Sequence, residues 1–138
     1  MSLSRLIYGR AQAVAGLTAL IGTKISPNMR RADTVLPAVV YDIQTEDRLP
    51  DLAAANIAYM ADVRFRCIAD LLADAYAIAY QVSAAFNGHT GYSDASGRIT
   101  RSIVGGISEL GLAADPPPND TDSPREVVVQ VRFFYTLT

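Results

Sequence analysis

Asn56-Ile57-Ala58-Tyr59-Met60-Ala61-Asp62-Val63-Arg64-Phe65-Arg66-Cys67-Ile68-Ala69 is the stretch from which the rest of the chain can be read. Ile57, Tyr59, Ala61, Val63, Phe65 and Cys67 fall on one side; Met60, Asp62, Arg64 and Arg66 fall on the other. A period of two held over this length predicts a β-strand with one face on a core and the other toward water or a partner.

Working outward, two more long segments alternate in the same way. Leu36 to Thr45 places Val39, Tyr41 and Ile43 on one face and Val40, Asp42 and Gln44 on the other, with Pro37 near the start where a missing ladder donor is tolerated. Arg125 to Leu137 places Val127, Val129, Val131, Phe133, Tyr135 and Leu137 on one face, against Val128, Gln130, Arg132, Phe134 and Thr136. A fourth strand, about Arg98 to Leu110, is interrupted by Gly105-Gly106, which reads as a bulge or bend. Lys24–Ser26 is at most a short additional strand.

Two segments carry helical spacing instead. Leu3 to Ile21 gathers Leu3, Leu6, Ile7, Val14, Leu17, Leu20 and Ile21 on one side, with Ser2 as N-cap and Gly22 as the stop. Gly16 weakens its middle by roughly 1 kcal/mol relative to alanine, so packing must compensate or another part of the chain must come close there. Leu71 to Asn87 gathers Leu71, Leu72, Ala75, Ile78, Ala79, Val82 and Phe86, with Asp70 as N-cap and Asn87-Gly88 as the stop. The order is therefore α-β-β-α-β-β. It predicts an α+β two-layer sandwich: a mainly antiparallel sheet of about four strands with two helices on one face, in a single domain spanning 1–138.

Composition narrows the function. The chain has 138 residues, 50% hydrophobic and 19% charged, and a net charge of −2. That balance fits one folded domain and argues against a dedicated nucleic-acid binder, which normally carries a basic face. A single cysteine, Cys67, excludes an intramolecular disulfide and a cysteine zinc site and fits intracellular folding; it reads as a buried small hydrophobe. No apolar run suits a membrane span or a signal-peptide core.

Catalytic chemistry is hard to assemble from these residues. His89 is the only histidine and sits in a Gly-His-Thr-Gly turn. No Gly-x-Ser-x-Gly element and no phosphate loop is present, and Asn119-Asp120-Thr121-Asp122 lacks the spacing and closing glutamate of a calcium loop. The expectation is a non-enzyme with no catalytic residue, cofactor or metal. Tyr76 and Tyr80, four apart on one helix, read as packing at the edge of the core.

With both helices on one sheet face, the opposite face displays Asp42, Gln44, Asp62, Arg64, Arg66, Gln130 and Arg132, interleaved with Met60, Val128 and Phe134. A solvated face with a few weak ion pairs is the plain reading. The alternative is a subunit interface or channel lining, because arginine, methionine and aromatics beside apolar residues are interface composition. Asp62, Arg64, Arg66, Gln130, Arg132 and Phe134 are the candidate interface or lining residues. Three loops, Glu46–Ala54, Gly88–Gly97 and Ala113–Pro124, are candidates for reaching partners, the first through Asp47, Arg48 and Asp51 and the last through Pro117 and Asp120.

Taken in order, Leu36-Pro37-Ala38-Val39-Val40-Tyr41, then Asp62-Val63-Arg64-Phe65-Arg66-Cys67 leading to Ala85-Phe86-Asn87-Gly88, then Val127 to Tyr135, resemble the tail-terminator or tail-completion family of long-tailed phages and gene transfer agents. The resemblance covers nearly the whole chain. One departure is the proline-rich stretch Ala113–Pro124, longer here than in many relatives. The resemblance implies a structural virion protein forming a ring, hexameric in the family, at the head-proximal end of the tail tube. Its implied partners are copies of itself, the major tail tube protein and the head–tail connector or stopper, with DNA only in transit, no membrane, and assembly in the host cytoplasm. Two alternatives stay open: another neck, stopper or baseplate subunit, and a small ferredoxin-like ligand-binding or regulatory domain with a concave polar pocket.

Overall fold

The computed structural model describes residues 2–27, 36–49, 58–88, 92–95, 97–112 and 125–137. Three helices and six strands follow one another in the order α1 (Leu3–Gln12), α2 (Ala15–Ile21), β1 (Ile25–Pro27), β2 (Ala38–Leu49), β3 (Ala58–Ala69), α3 (Leu72–Phe86), β4 (Tyr92–Asp94), β5 (Gly97–Leu112) and β6 (Arg125–Leu137). All six strands join one sheet in the order β1-β2-β3-β6-β5-β4. Pairing is antiparallel except that β1 runs parallel to β2, with Ile25 beside Val39.

This corrects the expected four-strand, two-helix sandwich in three places. The first helix is two helices: Ser2 caps α1 by accepting from the Arg5 N–H at 3.4 Å, but the chain turns at Ala13 and Val14 adopts extended backbone ahead of α2. β-branched Val14 and Gly16 both lower helix propensity here. The turn lets Leu17 and Ile21 point into the core while α2 leans on α3, with Gly16 so close to the Gln81 side chain that a Cβ would collide with it. The sheet gains two three-residue edge strands: β1, one residue along from the short strand that Lys24–Ser26 allows, and β4, which is too short to show a period. Finally, β2 extends to Leu49, so Glu46, Asp47 and Arg48 lie in a strand and not in a loop.

α3 is also shorter than expected and begins without Asp70 as its cap; Leu71 holds that position with no side-chain hydrogen bond. Gly22, at φ +60°, ends α2 as its position predicts.

The core lies between the helices and the inner face of the sheet. Val39 and Tyr41 on β2, Val63, Phe65 and Cys67 on β3, Ile99 on β5, and Val127, Val129, Val131, Phe133 and Tyr135 on β6 are all buried against Leu6, Ile7, Leu17, Ile78, Val82 and Phe86. Phe65 is its hub, with ring centroids 5.8 Å from Tyr41, 5.2 Å from Phe86 and 6.2 Å from Phe133. Burial pushes the Cys67 thiol well above its ordinary pKa, as an inert core position requires. The sheet is curled: α1 touches β1 at one edge and β4 at the other, with Tyr92 of β4 packed on Gly9.

Candidate functional site

Register assembles the outer face of the sheet. Between β3 and β6, Met60 stands opposite Phe134, Asp62 opposite Arg132, Arg64 opposite Gln130 and Arg66 opposite Val128. From β2, Asp42 is opposite Arg64 and Thr45 opposite Asp62. The six residues Asp62, Arg64, Arg66, Gln130, Arg132 and Phe134 thus share one contiguous surface. Asp51, Pro117, Asp120 and His89 lie outside the described residues.

Two ionic networks cross this face. In the first, Arg64 donates to Asp42 Oδ2 through Nη2 at 2.9 Å and Nε at 3.3 Å. Arg66 Nε lies 3.5 Å from the same oxygen and 3.8 Å from Glu126 Oε1. In the second, Arg132 grips Asp62 with two donors, Nε to Oδ1 at 2.8 Å and Nη2 to Oδ2 at 3.3 Å, while Thr45 Oγ1 donates to Oδ2 at 3.2 Å. The Arg132 hydrogen bond holds the Asp62 carboxyl below its ordinary pKa and raises that of Arg132. Three guanidinium groups meet three carboxylates, so the row as a whole is electrically balanced.

Glu126 escaped the sequence reading although it has the parity of Val128 and Gln130. It is 3% exposed, and burial pushes its pKa up against the opposing pull of Arg66 and then Arg64. Its neighbourhood explains this. Ala38, Val40, Ile68 and Val128 are all buried on the same end of the outer face. The expected exposed pair of Val128 and Phe134 is therefore split: Val128 belongs to a dry end, Phe134 to the half-exposed end with Met60 and Asp62.

Bulges shape the face between these ends. The β2–β3 register shifts at Gln44 and the β5–β6 register shifts at Gly105, the position where Gly105-Gly106 suggests an interruption. Bulges bend and twist the strand that carries them. An open groove of about 640 Å³ runs from Gln44 past Asp62, Gln130 and Arg132 to Gly105 and Gly106. The Gln44 bulge also reverses the side-chain phase of the rest of β2. Glu46 comes level with Ala61 on the inner side and accepts a hydrogen bond from the Tyr135 hydroxyl, and Arg48 comes level with Tyr59. Burial first, then Glu46, drives the Tyr135 pKa upward.

The helical layer shows water a different surface. α2 has no charged residue and α3 has only Asp74. Leu71 is 64% exposed and Tyr80 61%, with Ala73, Ala77 and Ala84 exposed beside them. Tyr76 packs against the core, as expected, but Tyr80 stacks on it from the solvent side at 6.1 Å. Among the described residues no group of three or more His, Cys, Asp or Glu side chains could hold a metal ion, and no helix is long and apolar enough to cross a membrane.

The fold has a counterpart in a virus-like particle. A chain in the structure titled "Virion of native gene transfer agent (GTA) particle" superposes with a TM-score of 0.70 at 20% sequence identity, covering 98% of this chain and 95% of that one. At that identity the likeness is one of fold. No family model and no curated protein matches the sequence.

Proposed function

We propose that this chain is a structural subunit of a phage-like virion, and within it a tail-terminator subunit: a non-catalytic protein that closes into a ring, hexameric by the family resemblance, at the head-proximal end of the tail tube. The observation that carries this reading is the end-to-end fold likeness to a gene transfer agent virion chain, at a TM-score of 0.70 and with nearly complete coverage of both chains. Complete coverage matters because a shared local motif would leave part of one chain unmatched.

The surfaces support it. A subunit held between a tube and a connector needs several faces free of repulsive charge, and α2 and α3 together supply one with a single carboxylate. A channel that passes DNA must not hold phosphate, since each neutralised phosphate adds salt-dependent affinity. Arg64, Arg66 and Arg132 are each set against Asp42, Asp62 or Glu126, which leaves, among the described residues, Arg98 and Arg101 on β5 as the exposed cations of that face outside the row.

Particles assembled without this chain test the reading. A terminator leaves tails of uncontrolled length and heads without tails when it is deleted, and the purified protein restores joining in a mixed extract. Normal, joined particles in its absence would refute the role.

A further inference from the structure

The sheet has two incompletely covered edges, and they are covered at opposite ends. β1 lies beside β2 only from Val39 to Tyr41. β4 lies beside β5 only from Gly97 to Ile99. Across the sheet Val39 is level with Cys67, Val127 and Glu109, whereas Ile99 is level with Tyr135, Tyr59 and Arg48. The end of α3 covers the next part of β5: Gly88 N–H donates to the Ser102 carbonyl at 2.8 Å, and Asn87 Oδ1 accepts from the Val104 N–H at 3.5 Å. Among the described residues, nothing pairs with the remaining edge of β5, from Gly105 to Leu112, or of β2, from Ile43 to Leu49.

Such edges template strand addition, and exposed ones are normally guarded by charge or proline. Gly105-Gly106-Ile107-Ser108, the first half of the uncovered β5 edge, contains neither, and Glu109 is the one charge from there to Leu112. The β2 edge carries three charges in succession, Glu46, Asp47 and Arg48, and in the register given below they meet Ile107, Gly106 and Gly105 of β5, so no like charges are opposed there. Each edge is a step, and the two steps are complementary in a copy shifted along the strands.

We propose that the free edge of β5 pairs with the free edge of β2 in the next copy of this chain, so that the sheet runs continuously from subunit to subunit. Because successive long strands alternate in direction, β2 and β5 run oppositely. Rotation about an axis from which the strands are tilted, as in a barrel, preserves those directions and takes up the shift along the strands, so the joint is antiparallel. It is also head-to-tail, the type of contact that closes rings. A register near Thr45 opposite Ser108 brings Asp47 opposite Gly106 and uses both uncovered segments. The inference rests on the ring reading above and specifies which surfaces close the ring.

The test is a cysteine pair in the full chain, Thr45→Cys with Ser108→Cys. Both positions face outward, level with Asp62 and Val128. Within one chain they are three strand spacings apart, about 14 Å, beyond the roughly 7 Å Cα limit of a disulfide. Cys67 is buried and does not compete. Mild oxidation of the assembled protein is expected to give a ladder of linked chains on a non-reducing gel, with each single variant remaining one chain. A dimer from Ser108→Cys alone would mean β5 pairs with itself and overturns the proposal. As a second arm, Gly106→Glu places a carboxylate opposite Asp47 of the next copy, at a position where a Cβ meets no atom within 4 Å. It is expected to keep the wild-type melting temperature and to weaken association at least about tenfold by light scattering. Rings that survive in Gly106→Glu and yield no ladder in the cysteine pair defeat edge pairing and leave the ring reading intact. A wild-type chain present as single copies in purified particles defeats both.

Discussion

The two faces of the sheet are made by the same strands and obey different rules. On β3 the inner row is Val63, Phe65 and Cys67, fully buried and without an ionisable contact partner except at a distance; the outer row, one residue out of phase, is Asp62, Arg64 and Arg66, each in an ion pair. The inner face gains from area removed from water, roughly 25 cal/mol per Å² of apolar surface. The outer face gains little from its exposed pairs and instead imposes geometry, since a two-pronged Arg–carboxylate contact is satisfied in few arrangements. The contrast separates apolar burial, seated on the inner face, from ionic geometry, seated on the outer face. It weakens only at the Glu126 end, where the outer face turns dry.

The largest effect expected from challenging that contrast is on the inner face. Phe65→Ala removes the ring that contacts Tyr41, Phe86 and Phe133, and is expected to cost about 3–5 kcal/mol in urea denaturation. A cost near that of an outer-face substitution would erase the distinction.

Next is Arg66→Leu, which takes a cation from beside the buried Glu126 carboxylate. The expected loss is about 1–3 kcal/mol, the cost of a buried polar group left without its partner. The double variant Arg66→Leu with Glu126→Leu should recover most of it in the same denaturation experiment. Equal stability of the single variant and wild type would show this end to be as wet as the rest of the outer face.

The smallest effect sharpens the comparison through pH. Glu126 has a folded-state pKa raised above its ordinary value, chiefly by burial. Its contribution to stability is therefore fully present below the ordinary carboxylate pKa and is lost as pH rises through the folded value. Glu126→Gln removes this dependence, so melting temperatures of wild type and variant should diverge as the pH rises above the ordinary carboxylate range, with the variant gaining relative to wild type. An Asp62→Asn control moves the other way, because Asp62 is held below its ordinary pKa by Arg132 and its contribution fades as the pH falls.

How much of this was legible depended on whether a feature repeats. The alternation over Ala58–Ala69 and Arg125–Leu137 named the two central strands and sorted their faces, and Gly105-Gly106 marked a bulge. β1 and β4, at three residues, are shorter than two periods. The break at Ala13–Val14 left the apolar spacing nearly helical across it, so the stripe from Leu3 to Ile21 looked unbroken. The charged run Glu46-Asp47-Arg48 reads as a loop, yet it extends β2, because main-chain pairing with β3 depends little on what the side chains are. The six outer-face candidates were placed together by parity alone. Glu126 was missed because parity says which face a residue occupies and nothing about whether that part of the face is dry.

The extra residue at Gln44 gives β2 two halves of opposite phase. Removing one residue between Asp42 and Thr45 dissolves the bulge and leaves every later side chain on its present side, whereas removing two there shifts each of them to the opposite side. Glu46 would swing away from Tyr135, leaving the hydroxyl without its acceptor, and the acid next to it in sequence would be turned toward the core. Tolerance to shortening in this strand should therefore follow odd and even numbers and not length.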